Sequence, residues 1–176
     1  DPQLSEAYSG RALVLITQTG KWKEARADFV KAEKLDPYNV QAVAYSTLMM
    51  ANAGNYTQAL KKSEQVRKRF SKDNSFAFQT ARLYGKAAKW AIKDKKLSDD
   101  ERKKIAETYR KKSMAELQRA FKLGFKSKSW ANTTPDLESI RNLPEYKKLV
   151  SPAKTKPKQK KTAPAKQLPA ATDVKR

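Results

Sequence analysis

A six-residue pattern recurs in this chain at a fixed distance, and that spacing constrains the fold more than any other feature. Gly20-Lys21-Trp22-Lys23-Glu24-Ala25 returns as Gly54-Asn55-Tyr56-Thr57-Gln58-Ala59, 34 residues further on. A period of that length is too long for one helix or strand and signals a supersecondary unit repeated along the chain. Each position has a physical job. The glycine supplies the left-handed turn that ends a helix, the aromatic is expected to wedge between two helices, and the small alanine lets them approach closely. Phe29, Ala32 and Leu35-Asp36-Pro37 complete the first copy, whereas Ser63, Val66 and Ser71 stand where the second would carry Phe29, Ala32 and Pro37. Asp1-Pro2 precedes Asp36-Pro37 by 35 residues, so the sequence is expected to open at the end of a preceding repeat, inside a longer array or protein.

This pattern resembles the tetratricopeptide repeat, closely over residues 5–37 and more loosely over 39–72. An ordinary antiparallel helix pair with a glycine turn is the plainer alternative. The resemblance implies an all-α fold: antiparallel helix pairs stacked as a short α-solenoid with a C-terminal cap and a disordered tail. Apolar periodicity predicts first helices over about 4–18, 39–53 and 74–93, and second helices over about 21–35, 55–70 and 98–123. Residues 1–72 then hold two helix pairs and 73–150 a degenerate third repeat with a long helix and a cap. In that third repeat Ala81 and Tyr84 take the small and aromatic places, and the insertion Lys93-Asp94-Lys95-Lys96-Leu97 delays the partner helix. Ser98-Asp99-Asp100-Glu101 is a capping box with acidic residues suited to a helix N-terminus. The stripe Ile105, Tyr109, Met114, Leu117 and Phe121 reads as core, and Gly124 as the stop.

From Leu97-Ser98 through Gly124-Phe125 to Pro135-Asp136-Leu137 and Pro144-Glu145-Tyr146, residues 76–150 are similar to the terminal tetratricopeptide group at the ends of large bacterial multidomain proteins. Many of those carry a Ser/Thr protein kinase domain upstream. No glycine-rich loop, H-R-D or D-F-G occurs in this chain. Leu137, Ile140, Leu143, Tyr146 and Leu149 are expected to cover the last apolar face of the stack.

Cysteine and histidine are both absent, which removes thiolate and imidazole catalysis, disulfides and zinc fingers. The 18 acidic residues are scattered among 39 basic ones. A catalytic acid and base must converge in a pocket, so the expectation is a chain that is not an enzyme, with no cofactor, metal or small-molecule substrate. The longest uninterrupted apolar run, Ala12 to Ile16, is far short of the roughly 20 residues of a transmembrane helix. No signal-peptide pattern opens the chain, and a cytoplasmic protein is expected.

The net charge is +21 and uneven. Residues 1–73 carry 12 basic and 8 acidic residues, residues 74–150 carry 19 and 9, and residues 151–176 carry 8 and 1. Such a field favours acidic partners. The last segment has four of the eight prolines and no aromatic. It cannot offset its ordering entropy by apolar burial and is expected to be disordered.

The family resemblance implies an extended peptide bound in the groove lined by the first helices. Its inward positions fall here on Ser9, Leu13 and Thr17, on Gln41, Ala44, Leu48 and Asn52, and on Phe78, Arg82 and Lys86. That predicts an apolar floor of Leu13, Leu48 and Phe78 beside a polar end of Asn52, Arg82 and Lys86. Arg82 and Lys86 are four apart and share a helix face, so they could grip one carboxylate or phosphate. The chaperone-tail carboxylate clamp of some family members is not expected, because Ser9, Ala44 and Ser75 replace its Lys and Asn positions. The alternative partner is nucleic acid. Lys154, Lys156, Lys158, Lys160, Lys161 and Lys166 of the tail, with Arg102-Lys103-Lys104 and Arg110-Lys111-Lys112, would supply sequence-independent phosphate attraction. They lack interleaved aromatics for base stacking.

Overall fold

The computed structural model describes residues 1–18 and 21–151, apart from the Thr17 side chain. The turn glycine Gly20 and the tail lysines lie outside the described residues. Those residues form helices and no strand: α1 Pro2–Thr17, α2 Trp22–Leu35, α3 Val40–Asn52, α4 Tyr56–Val66, α5 Asn74–Lys93 and α6 Asp99–Lys122. A short α7, Lys128–Thr133, a 3-10 turn, Pro135–Ile140, and α8, Pro144–Val150, follow. Successive helices pair antiparallel and each pair stacks on the next. α2 packs on α1 and α3, α3 on α4 and α5, and α5 mainly on α6 and the 3-10 turn.

Local chemistry sets the ends. Asp1, Asn39 and Asp73 cap α1, α3 and α5 by accepting from Leu4, Ala42 and Phe76 amides, the last at 2.7 Å. The Ser98 box forms as expected: the Ser98 amide donates to the Glu101 carboxylate at 2.9 Å, and the Glu101 amide to Ser98 Oγ at 3.4 Å. Gly54 and Gly124 end α3 and α6 with φ of +88° and +98°. Beyond each, the next amide reaches back to Met50 O or Ala120 O, the six-residue loop that satisfies a helix's last carbonyls.

Small residues let the pairs close. Ala12 and Ala25 are fully buried beside Phe29, whose ring stacks on Tyr45 with centroids 5.1 Å apart. Ala59 is the fully buried counterpart of Ala25 in the next pair, among Leu48, Leu60 and Leu83. Trp22 departs from the expected wedge. It is the first residue of α2 and remains 49% exposed, so the closeness of the first pair comes from the alanines and not from the indole. The second helix of the next pair stops at Val66, four residues earlier than periodicity predicts, and Phe70 turns in to pack on Phe76.

The cap docks on α5 through backbone contact. A Cβ on Gly85 would sit 2.3 Å from the carbonyl oxygen of Asp136, so only glycine permits this approach. Ser139 Oγ donates to Gly85 O at 3.1 Å, and Ser113 Oγ of α6 to Ala81 O at 2.8 Å. Leu137, Ile140 and Tyr146 are buried on Ala77, Phe78 and Leu117, with Leu143 and Leu149 partly covered beside them. These are the residues the sequence assigns to the cap.

Two substitutions test this packing by thermal melting. Ala25→Trp overfills the first pair and is expected to cost about 1–3 kcal/mol. Gly85→Ala gains up to about 1 kcal/mol of helix propensity, yet backbone must move to admit the methyl, so a net loss is expected. Melts equal to the parent would refute the repeat register in the first case and the docking of the 3-10 turn in the second.

Candidate functional site

The projected groove residues do not line one open floor. Leu48 is 4% exposed and Phe78 is fully buried. The space among Ala44, Leu48, Gln79 and Leu83, between α3 and α5, is only about 10 Å³. Phe78 stacks on Phe125 with centroids 4.1 Å apart and touches Trp130 at 4.7 Å, so the connection after α6 covers the place where a ligand side chain was expected. Leu13 is half-buried on the Ala25, Phe29 and Met49 cluster. Ser9 is buried and accepts from Asn39 Nδ2 at 3.2 Å. Gln41 and Asn52 are exposed. Asn52 borders a separate cleft, with Trp22, Lys23, Arg26 and Met49.

Arg82 and Lys86 do share a face and do meet on one carboxylate, which is supplied by the chain itself. Arg82 Nε and Nη2 donate to Asp136 Oδ2 at 3.0 and 2.8 Å, and Lys86 Nζ lies 3.6 Å from Oδ1. Arg82 Nη1 also donates to Gln79 Oε1 at 2.7 Å. One turn further along α5, Lys89 Nζ donates to Pro135 O at 2.9 Å and to the Glu138 carboxylate. The row Arg82, Lys86, Lys89 therefore already holds Pro135-Asp136-Leu137-Glu138. The opposite charges of these two segments were visible in the sequence; that they pair across about fifty residues was not.

Past Lys89 the α5 surface opens. Trp90, 38% exposed, stands between two clefts. One, of about 300 Å³, is lined by Lys86, Lys89, Trp90, Lys93, Pro135 and Asp136. The other, of about 400 Å³, runs from Trp90 and Lys93 to Gly54, Tyr56 and the lysines of the insertion. Tyr56 stacks on Trp90 at 6.3 Å and its hydroxyl donates to Asp94 Oδ2 at 3.2 Å. Burial, with that hydrogen bond behind it, pushes the phenol above its ordinary value. Trp90 is the residue that sequence reasoning passed over. The signal was present: an aromatic within one helical turn of Lys86, Lys89 and Lys93.

Away from these clefts, Tyr84 donates to Glu64, and this bond, with Lys112 and Arg67 nearby, holds the Glu64 carboxyl below the usual range. Among the described residues no acidic cluster is placed to hold a metal ion, and no helix is long and apolar enough to cross a membrane. Comparison with family models, curated proteins and solved structures finds no match to this chain.

The carboxyls give a pH prediction. Glu64 is held low by Tyr84, Glu101 by Ser98 and Glu138 by Lys89. Groups with folded values below the unfolded carboxylate value, about 4.3 for Glu, stabilise fully above it, and that stability is lost as pH falls through the folded values. The melting temperature is expected to fall as pH drops below about 4, and less so in Glu64→Gln. Identical acid profiles for parent and Glu64→Gln would refute the role given to the Tyr84 hydrogen bond.

Proposed function

We propose that this chain is a non-catalytic protein-interaction scaffold of tetratricopeptide type that binds an extended acidic peptide. One observation carries the reading: the cationic row of α5 holds the carboxylates of the chain's own Pro135-Asp136-Leu137-Glu138 turn through Arg82, Lys86 and Lys89. That contact supports the reading because it pairs the carboxylates of one short segment with lysine and arginine along a helix face. The 34-residue spacing, with Ala25 and Ala59 both fully buried in successive pairs, supports the repeat assignment. Because the Arg82 and Lys86 charges are engaged by Asp136, a partner is expected to use cations that lack such an intramolecular carboxylate. Lys93, the last residue of α5, and Lys95 and Lys96 in the turn after it are exposed and have no ion-pair partner among the described residues.

Sequence-independent nucleic-acid binding is the second reading, favoured by the exposed Lys103, Lys104 and Lys111 of α6 and by the lysines of the tail. The two readings separate in one set of titrations. Labelled acidic peptides, their lysine-substituted counterparts and single-stranded DNA are titrated against the chain and against a variant lacking residues 152–176, at low and at physiological salt. The scaffold reading expects saturable binding of acidic peptide that survives removal of the tail. The nucleic-acid reading expects DNA binding whose salt slope falls by about 0.7–0.9 for each phosphate that only the tail neutralises. Absence of acidic-peptide binding to both proteins would overturn the first reading.

A further inference from the structure

The two clefts built on Trp22 and Tyr56 are equivalent places in successive helix pairs. Each lies where the start of a second helix meets the end of the next first helix. In the earlier one, of about 380 Å³, Trp22 of α2 faces Met49, Asn52 and Ala53 at the end of α3. In the later one, of about 400 Å³, Tyr56 of α4 faces Trp90 and Lys93 at the end of α5. Trp22 and Tyr56 are 34 residues apart, so the repeat that builds the stack also repeats the notch along its edge.

We propose that an acidic, proline-containing peptide binds along this edge, with Trp90 as its central apolar contact and the free lysines around it as its charge partners. The proposal rests on the scaffold reading above and names the surface that serves it. Charge complementarity argues for the ligand class. Lys23 and Arg26 rim the first notch and Lys93, Lys95 and Lys96 the second, and none has an ion-pair partner among the described residues. Asp94 is the one carboxylate lining these two notches, and its Oδ2 already accepts from Tyr56. A ligand bearing spaced carboxylates meets a surplus of cations there, and its attraction grows where the clefts exclude water.

A proline of the chain itself, the first residue of the 3-10 turn, lines the third cleft with Trp90. Trp90 forms one wall, and the chain's own Pro135-Asp136 step, held by Lys86 and Lys89, forms the other. Proline in an extended peptide is preorganised and presents a flat apolar ring to an aromatic face, so it loses little entropy on docking. The half-exposed indole of Trp90, open to both clefts, is such a face. A single-stranded nucleic acid would also stack on an indole. Its phosphates would meet the same lysines, so oligothymidylate is the competing ligand in the test.

The test uses the full chain and a fluorescein-labelled peptide of about twelve residues alternating Glu-Pro and Asp-Leu, roughly 37 Å long when extended. Binding is read by anisotropy for the parent, Trp90→Ala, the double charge reversal Lys93→Glu/Lys96→Glu, and a control reversal of equal charge on α6, Lys103→Glu/Lys104→Glu. All four lysines are exposed, so the reversals leave the fold intact even if Trp90→Ala lowers the melt. The edge variants are expected to weaken binding about tenfold or more, as removal of one or two charge-assisted hydrogen bonds would, and the control much less. Equal weakening by both reversals would reduce the effect to net charge and overturn the proposal. Binding of the peptide by the parent with no weakening in any edge variant would place the site elsewhere while leaving the scaffold reading standing. No peptide binding by the parent would overturn both. Binding of oligothymidylate in place of the peptide, abolished in the edge variants, would make the edge a nucleic-acid surface and overturn the proposal.

Discussion

The close approach of Gly85 to the Asp136 carbonyl is the contact on which the C-terminal half of the structure depends. A missing Cβ lets a 3-10 turn lie directly on α5. That position brings Asp136 to Arg82 and Lys86, Glu138 to Lys89, and Leu137 and Ile140 onto the apolar face shared by α5 and α6. The polar and apolar parts reinforce one another. Burying Leu137 and Ile140 stabilises by a few kcal/mol in area terms, far more than a partly exposed ion pair contributes. The ion pairs set the register of the turn on the helix; the buried side chains hold it there.

The same docking divides the charge of α5 into two parts. Arg82, Lys86 and Lys89 are engaged by carboxylates of the cap, whereas Lys93 and the neighbouring Lys95 and Lys96 are not. A second division runs through α6. Arg67 and Arg119 converge on the buried Glu116, and Lys112 lies 3.6 Å from Glu64, while Lys103 and Lys104 face solvent. A large net charge is therefore compatible with a folded stack because its inner carboxylates are matched and the surplus stands outside, where screening is strong.

Most helices and their ends were legible in the sequence because they depend on neighbours in the chain; the early end of α4 at Val66, where Phe70 turns in onto Phe76, was not. The capping box at Ser98, the glycine stops at positions 54 and 124, and α5 over 74–93 follow from chemistry within a few residues. The cap was legible too, through the likeness of Pro135-Asp136-Leu137 and Pro144-Glu145-Tyr146 to a terminal repeat element. The state of the groove was not. Whether Phe78 faces solvent is decided by Phe125 and Trp130, and whether Arg82 is free is decided by Asp136, each about fifty residues distant. Position within a repeat says which way a side chain points, not what has arrived there first. Trp22 failed in the opposite sense: its place suggested a wedge, but the alanines closed the pair without it.

The three tryptophans happen to be distributed one to each region that matters. Trp130 lies on Phe78 and Phe125 beside the cap, Trp90 divides the clefts at the end of α5, and Trp22 stands at the first notch. Phenylalanine replacement of any two leaves a single indole whose emission reports one neighbourhood. The chain thus carries a set of optical labels able to distinguish loosening of the cap from events at either notch, with no dye attached.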